Sequence, residues 1–393
     1  MSDTRTIPLM DLTLQHAQIS EEMHQDLDRV TAAGGLVLRP EGEKFPREFA
    51  ACSGVSDVAG VGNGTDALQL PLRAHDTCPG HEVTIPANTF VATAEPGNHA
   101  GAIAHLVECD ENFLTDAYAV CGKIIERTPA AIGAHLRGQT ARIELLRAAE
   151  GDDILIVEDA AQSQGPRRSG MCSGGLGDLA GVSFDPDKDL GAHGDGGGKL
   201  TNCAEDAECV REQRNHGGTH RYSHPVPGAN PCVDGFPCVV LSAKLARLDR
   251  WKDERGAASF YYDELLAQHA DVIVIVIVIV PKVIEGKEHV FYPYLIRTAR
   301  RGTLVGSMNA EGVNASIHCS LSGAPYSCVR RPRVGRRILS SGRDARVEDH
   351  VTADLPRHYE GAARSRCRHS CEDAGRFSTQ PARLAVVTED QWL

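Results

Sequence analysis

The chain has 393 residues, 41% of them hydrophobic and 24% charged, with a formal net charge of −12. That length exceeds one ordinary core and calls for two lobes, while the acidic balance excludes a general nucleic-acid binder. The opening "MSDTRTIPLMDL" has no basic segment followed by an apolar one, and no run reaches the about 18 apolar residues that span a bilayer, so a cytoplasmic protein with no membrane partner is expected.

In chain order, "ISEEMHQDLDRVTAAGG" carries apolar residues at helical spacing and stops on glycines, and "EKFPREFAACSG" reads as a second helix closed by Gly54. Next come "VAGVG" (strand), "TDALQLPLRAH" (helix), "HEVTIPA" (strand), "TFVATAEPGNHA" (helix), "AIAHLVEC" (strand) and "LTDAYAVCGKIIE" (helix). "AAIGAHL" and "DILIVED" are further apolar strands, separated by "RIELLRAAEG". Such alternation predicts a mostly parallel sheet flanked by helices, an α/β fold whose ligands bind at the carboxyl ends of the strands. From Leu241, "LSAKLARLDRWKDERGAASFYYDELLAQH" reads as one long helix bridging to a smaller lobe that contains the strand "HVFYPYLIR". The boundaries that follow are a large domain over residues 1–250 and a small C-terminal domain over 251–393.

Two segments stand apart. "VIVIVIVIV", residues 272–280, is β-branched throughout, as in a strand buried on both faces, and is an aggregation hazard if exposed. Beyond about residue 320, "CVRRPRVGRRILSSGRDARVEDH" is Arg-rich and lacks aliphatic periodicity; it reads as a basic surface, a disordered tail or an out-of-frame stretch. The thirteen cysteines include no C-x-x-C pair and read as reduced thiols. "CRHSC" (Cys367, His369, Cys371) lacks the second ligand pair of a zinc site, so no metal is expected.

The segments that can carry chemistry lie after strands. "GNGTDA", residues 62–67, opens a helix with glycines, which suits a phosphate because unpaired backbone amides and the helix dipole point at it. It also matches the dinucleotide fingerprint G-x-G-x-x-A, with Glu82 as the ribose-binding acid, although Glu82 begins a strand instead of ending one. "GDGGGKL" resembles a P-loop only superficially, with His193 and Leu200 where Gly and Ser/Thr are needed. "LIVEDAAQSQG" puts Asp159 and Gln162 after a buried strand, where a carboxylate could simply cap a helix. Lys188 then follows the strand "LAGVSF" in "SFDPDKDLGAHGDGG". A solvated acidic turn is the plain reading of that segment, but an amine, an acid and a phosphate cup on three strand ends are the groups that pyridoxal phosphate needs.

"NGTDAL", "PANTFVATA", "VEDAAQSQG", "SFDPDKDLGAHGDGG" and "RNHGG", in this order and spacing, resemble the sugar aminotransferases of the DegT/DnrJ/EryC1/StrS family. The likeness runs from about residue 7 to 260, with "HVFYPYLIR" and "GVNASIH" beyond. It implies an aspartate-aminotransferase-like fold (fold type I), pyridoxal 5′-phosphate as cofactor, and a homodimer with active sites between subunits. It further implies a nucleotide-linked keto-deoxysugar as amine acceptor, with glutamate or glutamine as donor, in the making of antibiotic or surface-glycan sugars. By resemblance, Lys188 matches the lysine that bonds to the cofactor and then moves the Cα proton, and Asp159 the acid that keeps the pyridine nitrogen protonated. Gln162 matches the residue near the ring hydroxyl, and Gly64, Thr65 and Ser183 match phosphate contacts. Phe90, which would otherwise read as core, matches the aromatic on the ring face, and Asn230 an asparagine reaching the neighbouring subunit's phosphate.

The chain departs from the family pattern at Asp185, Asp187 and Asp189, where Tyr, Gly and Asn are usual. Carboxylates beside an amine favour its charged form, and a Gly position can demand a left-handed backbone. Pro237 falls where a helix is expected, and "CSLS" replaces Tyr-Pro-x-Pro after His318. Three other readings remain open: an amino-cyclitol (keto-inositol) substrate, a sugar dehydratase, whose branch carries His in place of the lysine, and a non-catalytic regulatory protein that retains the scaffold.

Overall fold

Short, mostly apolar runs alternate with segments apolar on one side, the first forming strands and the second the helices that cover them. The computed structural model describes residues 6–318 except 111, 122, 151–153, 169, 268–282, 284–287 and 299–300, together with 384–387. "VIVIVIVIV", "CRHSC" and the Arg-rich stretch lie outside the described residues. Helices α1 (Thr13–Ala33) and α2 (Pro40–Ser53) precede β1 (Asp57–Val61), α3 (Gly64–Ala74), β2 (Glu82–Pro86), α4 (Val91–His99) and β3 (Ile103–Val107). Then follow α5 (Ala117–Cys121), β4 (Ala130–Ala134), α6 (Ile143–Glu150), β5 (Leu155–Asp159) and a small hairpin of β6 (Arg167–Arg168) and β7 (Met171–Cys172). Strands β8 (Leu179–Ser183) and β9 (Gly197–Thr201) lead to α7 (Ala204–Gln213), α8 (Gly235–Leu245) and α9 (Leu248–Ala267). The second half adds β10 (Tyr294–Arg297), α10 (Arg301–Ala310), β11 (Ser316–Ile317) and β12 (Leu384–Val387).

Seven strands form one sheet in the order β1-β9-β8-β5-β4-β2-β3. Its neighbours are parallel except where β9 runs against both β1 and β8. A second sheet has the order β10-β12-β11, all parallel. One face of the large sheet packs Val58, Ala180, Val182 and Leu200 against Phe45 and Phe49 of α2 and Cys238 and Leu241 of α8. The other packs Val83, Ile85, Ile132 and Val157 against Leu68 and Leu72 of α3 and Ala94 of α4. This is the expected α/β sheet covered on both sides.

The expectations differ from the structure at four places, one being that the strand expected in "HVFYPYLIR" is only its last four residues, β10. The long helix from Leu241 is two helices, because the Arg247 amide closes a tight turn on the Lys244 carbonyl at 2.9 Å. The helix expected over 114–126 is only α5; beyond it the Lys123 amide donates to the Val120 carbonyl at 2.8 Å and the Ile125 amide to Thr128 Oγ1 at 3.2 Å, bonds of turns and not of a continuing helix. Pro237 is the third residue of α8, within the first turn, where an amide has no intrahelical acceptor and a proline costs nothing in hydrogen bonding.

"GDGGGKL" runs into β9, which begins at its fourth residue, and Lys199 within it is a buried amine whose Nζ has no hydrogen-bond partner among the described residues. Lys199 pairs with Ala59 on the sheet face covered by α3 and α7. Burial pushes its pKa down to about 8. Below pH 8 both folded and unfolded chains are charged, so the burial penalty is fully present; it fades as pH rises from 8 towards the ordinary 10.5. Lys199→Met is therefore expected to raise unfolding free energy at pH 7 by about 1–3 kcal/mol. Denaturant titrations should show that advantage shrinking across pH 8 to 10.5.

Candidate active site

The site is built on the carboxyl ends of β1, β5 and β8. After β1, Asn63 caps α3: its Oδ1 accepts from the Asp66 amide at 2.9 Å and its Nδ2 donates to Asp66 Oδ2 at 2.7 Å. Burial pushes the Asp66 carboxyl up, and the Asn63 contact counters it. Gly64 and Thr65 thus open α3 with amides that precede its first intrahelical bond. Ser183, the last residue of β8, lies against them. A Cβ built on Gly64 would fall 2.7 Å from Ser183 Cβ, and one on Gly197 would fall 2.2 Å from the Asn63 carbonyl oxygen. Glycine is required at both positions for these backbones to approach. Together they make a cup lined by main chain and one hydroxyl.

Asp159 ends β5 and is 8% exposed. Thr93 in the first turn of α4 donates to its Oδ2 at 2.5 Å, Thr89 lies 2.6 Å from Thr93 Oγ1, and the Ala161 amide donates to Asp159 Oδ1 at 3.1 Å. The carboxylate is therefore fixed in orientation. Phe90 precedes α4, and its carbonyl accepts from the Thr93 amide at 3.0 Å. At 57% exposure its ring is not the core residue that "TF" before a helix would suggest. Gln162 is buried, its Oε1 accepting from the Arg137 amide at 2.9 Å, while Gln164 donates to the Ser183 carbonyl at 2.6 Å.

Lys188 lies in the turn after β8, half-buried, with Nζ 5.7 Å from the ring centroid of Tyr292. The turn starts from Ser183, whose Oγ accepts from the Asp185 amide at 3.3 Å. None of the three unusual aspartates adopts a left-handed backbone, so the Gly-to-Asp change at Asp187 carries no strain. Asn230 is exposed, on the loop whose next residue, Pro231, accepts from the Gly62 amide at 2.7 Å. The structure thus gathers Gly64, Thr65, Ser183, Asp159, Gln162, Phe90 and Lys188 at one edge of the sheet and leaves Asn230 facing outwards beside the end of β1. The dinucleotide reading fails: Glu82 lies at the opposite end of β2, where His105 and Arg127 engage it at 2.9 and 3.1 Å.

Sequence reasoning missed what supports Asp159. On the opposite face of β5, Glu158 is fully buried and accepts from His135 Nε2 at 2.6 Å and from the amides of Gly174, Leu176 and Gly177 at 2.8, 2.7 and 2.7 Å. His135 Nδ1 accepts from the Ala141 amide at 2.8 Å, so the ring proton sits on Nε2 and is given to Glu158. The His135 amide in turn donates to the Asp159 carbonyl at 2.9 Å. Two acids in a row at the end of an apolar strand were the available signal, since strand alternation sends them to opposite faces.

The pattern of the DegT/DnrJ/EryC1/StrS aminotransferase family matches residues 17–331. The chain belongs to that family. It is 37% identical over 317 residues to the "Pleiotropic regulatory protein" of Geobacillus stearothermophilus, covering 80% of this chain and 84% of that one. It is 35% identical over 319 residues to the dTDP-3-amino-3,4,6-trideoxy-alpha-D-glucose transaminase of Streptomyces venezuelae, covering 81% and 83%. Among solved structures, DesV of S. venezuelae in complex with a ketimine intermediate superposes with a TM-score of 0.73 at 34% identity, covering 79% of this chain and 82% of that one. Pyridoxal 5′-phosphate is the cofactor of this family, and the residues present fit it. The close approach at Gly64 and Gly197 leaves main chain free, Asp159 is a buried carboxylate, and Lys188 is a half-buried amine, the types of group that a phosphate, a ring nitrogen and an aldehyde call for.

Removing the Glu158 carboxylate would strand three amides, the buried one of Gly174 and the part-buried ones of Leu176 and Gly177, and the buried His135 ring proton. Glu158→Ala is expected to lower unfolding free energy by about 3–5 kcal/mol, read as a lower guanidinium midpoint, while Glu158→Gln, which keeps one acceptor, should lose less.

Proposed function

We propose that this chain is a pyridoxal-phosphate-dependent aminotransferase that converts a nucleotide-linked keto-deoxysugar to an amino sugar, with glutamate or glutamine as donor. The observation that carries the reading is the convergence of Lys188, Asp159 and the Gly64–Ser183 cup on one sheet edge. Bound there, the cofactor supplies an electron sink for charge developing on the carbon next to the transferred amine. The chain's own groups have separate tasks. The amides of Gly64 and Thr65 and the Ser183 hydroxyl bind the phosphate at a helix N-terminus. Asp159, clamped by Thr93 and the Ala161 amide, accepts from the ring N–H and keeps that nitrogen protonated. Phe90 would supply an aromatic face for the ring, and Gln162 an amide for the ring hydroxyl. Lys188 Nζ would hold the cofactor through its aldehyde carbon and, when free, would carry a proton to or from the carbon next to the transferred amine.

The likeness to a dTDP-sugar transaminase at 35% identity supports the nucleotide-sugar class. The same proposal includes a large domain over residues 1–250, a small one over 251–393, a cytoplasmic setting and a homodimer in which Asn230 reaches the partner's phosphate cup. The exposure of Asn230 beside its own β1 suits that reach.

Mixing the protein with pyridoxal phosphate and then borohydride tests the reading. Amine and aldehyde condense with loss of water, the reductant fixes the C=N bond as a secondary amine, and the adduct is expected on the Lys188 peptide. Lys188→Ala should abolish the adduct and slow amine transfer from glutamate by at least about 10²–10⁴-fold. Cofactor binding without any transfer from glutamate or glutamine would instead favour a regulatory role, as the name of the Geobacillus relative suggests.

A further inference from the structure

The turn that carries Lys188 is closed by its own backbone and then held from outside by the second half of the chain. Inside the turn, the Lys188 amide donates to the Asp185 carbonyl at 2.9 Å, the Asp187 amide to Asp185 Oδ1 at 2.9 Å, and the Ala192 amide to the Phe184 carbonyl at 2.8 Å. From outside, Tyr292 Oη donates to the Asp187 carbonyl, and Lys244 Nζ to the Gly191 carbonyl at 2.6 Å. Arg255 of α9 pairs with Asp189 at 3.2 Å. The residues on both sides of the lysine are thus pinned.

The Asp189–Arg255 pair differs from the other two ties. Both partners are buried, Asp189 at 0% and Arg255 at 3% exposure, and Arg255 is itself aimed by donating Nε to the Val290 carbonyl at 3.0 Å. A buried ion pair returns little net stability, because desolvating two charges offsets their attraction. What it does supply is a charge attraction at 3.2 Å that holds Asp189, the residue adjoining Lys188, against α9. The same pairing answers the acidic surroundings of the lysine: Asp185 is half-buried and Asp187 exposed, and the one fully buried carboxylate faces a guanidinium.

We propose that Arg255, acting through Asp189, is a positioning residue for Lys188, holding the turn so that Nζ meets the cofactor's aldehyde carbon. This rests on the aminotransferase reading above. Its test uses the full-length chain and two ligands. Pyridoxal phosphate reports bonding to Lys188 through the rate of borohydride-fixed adduct on that peptide. Pyridoxamine phosphate has no aldehyde, so its dissociation constant reports the phosphate cup and Asp159 without the lysine. Arg255→Met should slow adduct formation at least about tenfold while pyridoxamine phosphate affinity stays within about threefold. The double variant Asp189→Asn/Arg255→Met, which removes both charges, should return to within about threefold of the unaltered chain. If Arg255→Met does not fold, Asp189→Asn carries the test, with adduct formation about two- to fivefold slower and pyridoxamine phosphate affinity unchanged.

Adduct formation at the unaltered rate in the single variants overturns the proposal. So does a parallel fall in adduct rate, pyridoxamine phosphate affinity and thermal midpoint, which marks the pair as merely structural. Failure of the unaltered chain to form any adduct at Lys188 overturns the aminotransferase reading itself.

Discussion

At the end of β5 the chain commits two neighbouring carboxylates to opposite faces of the sheet, and the geometry of the site hangs on that split. Glu158 turns inward and collects the His135 ring proton and three amides of the 174–177 turn. A buried carboxylate needs such a donor set to remain charged away from water, and in return it ties the loop after β4 and the turn before β8 to one strand. Asp159 points the other way, to the face of α3 and α4, where Thr93 fixes it. The His135 amide also binds the Asp159 carbonyl, so one residue ties to both acids.

The electrostatics around Lys188 follow the same division between solvent and interior. Of the three aspartates that set this chain apart from its family's pattern, Asp187 is exposed, where water screens its charge, and Asp189 is fully buried with Arg255 as its counter-ion. The segment reads as strongly acidic in one dimension. In three dimensions the carboxylate that solvent cannot screen is the one that carries a guanidinium partner. Lys199, eleven positions beyond Lys188, has no such partner among the described residues, and burial lowers its pKa.

The strand and helix order of the large sheet could be read from periodicity, because a parallel sheet covered on both faces demands β-branched runs between amphipathic helices. What periodicity could not supply was the break between α8 and α9 or the early end of α5, since each depends on a local turn bond. At the site, Lys188, Asp159, Gly64 and Ser183 could be picked out because each stands at the carboxyl end of a strand or within a few residues of it. Thr93, His135, Arg255 and Tyr292 were not, for they lie far along the chain from the groups they hold: Thr93 is 66 residues from Asp159 and Tyr292 is 105 residues from Asp187.

By itself the sequence determined the family, the α/β architecture and the chemical types of the site's groups, since these depend on residue identity at short spacing. Only the tertiary structure decided how those groups are oriented and which charges are neutralised. Orientation comes from hydrogen bonds between distant segments, and neutralisation from burial, and neither leaves a local pattern in the chain.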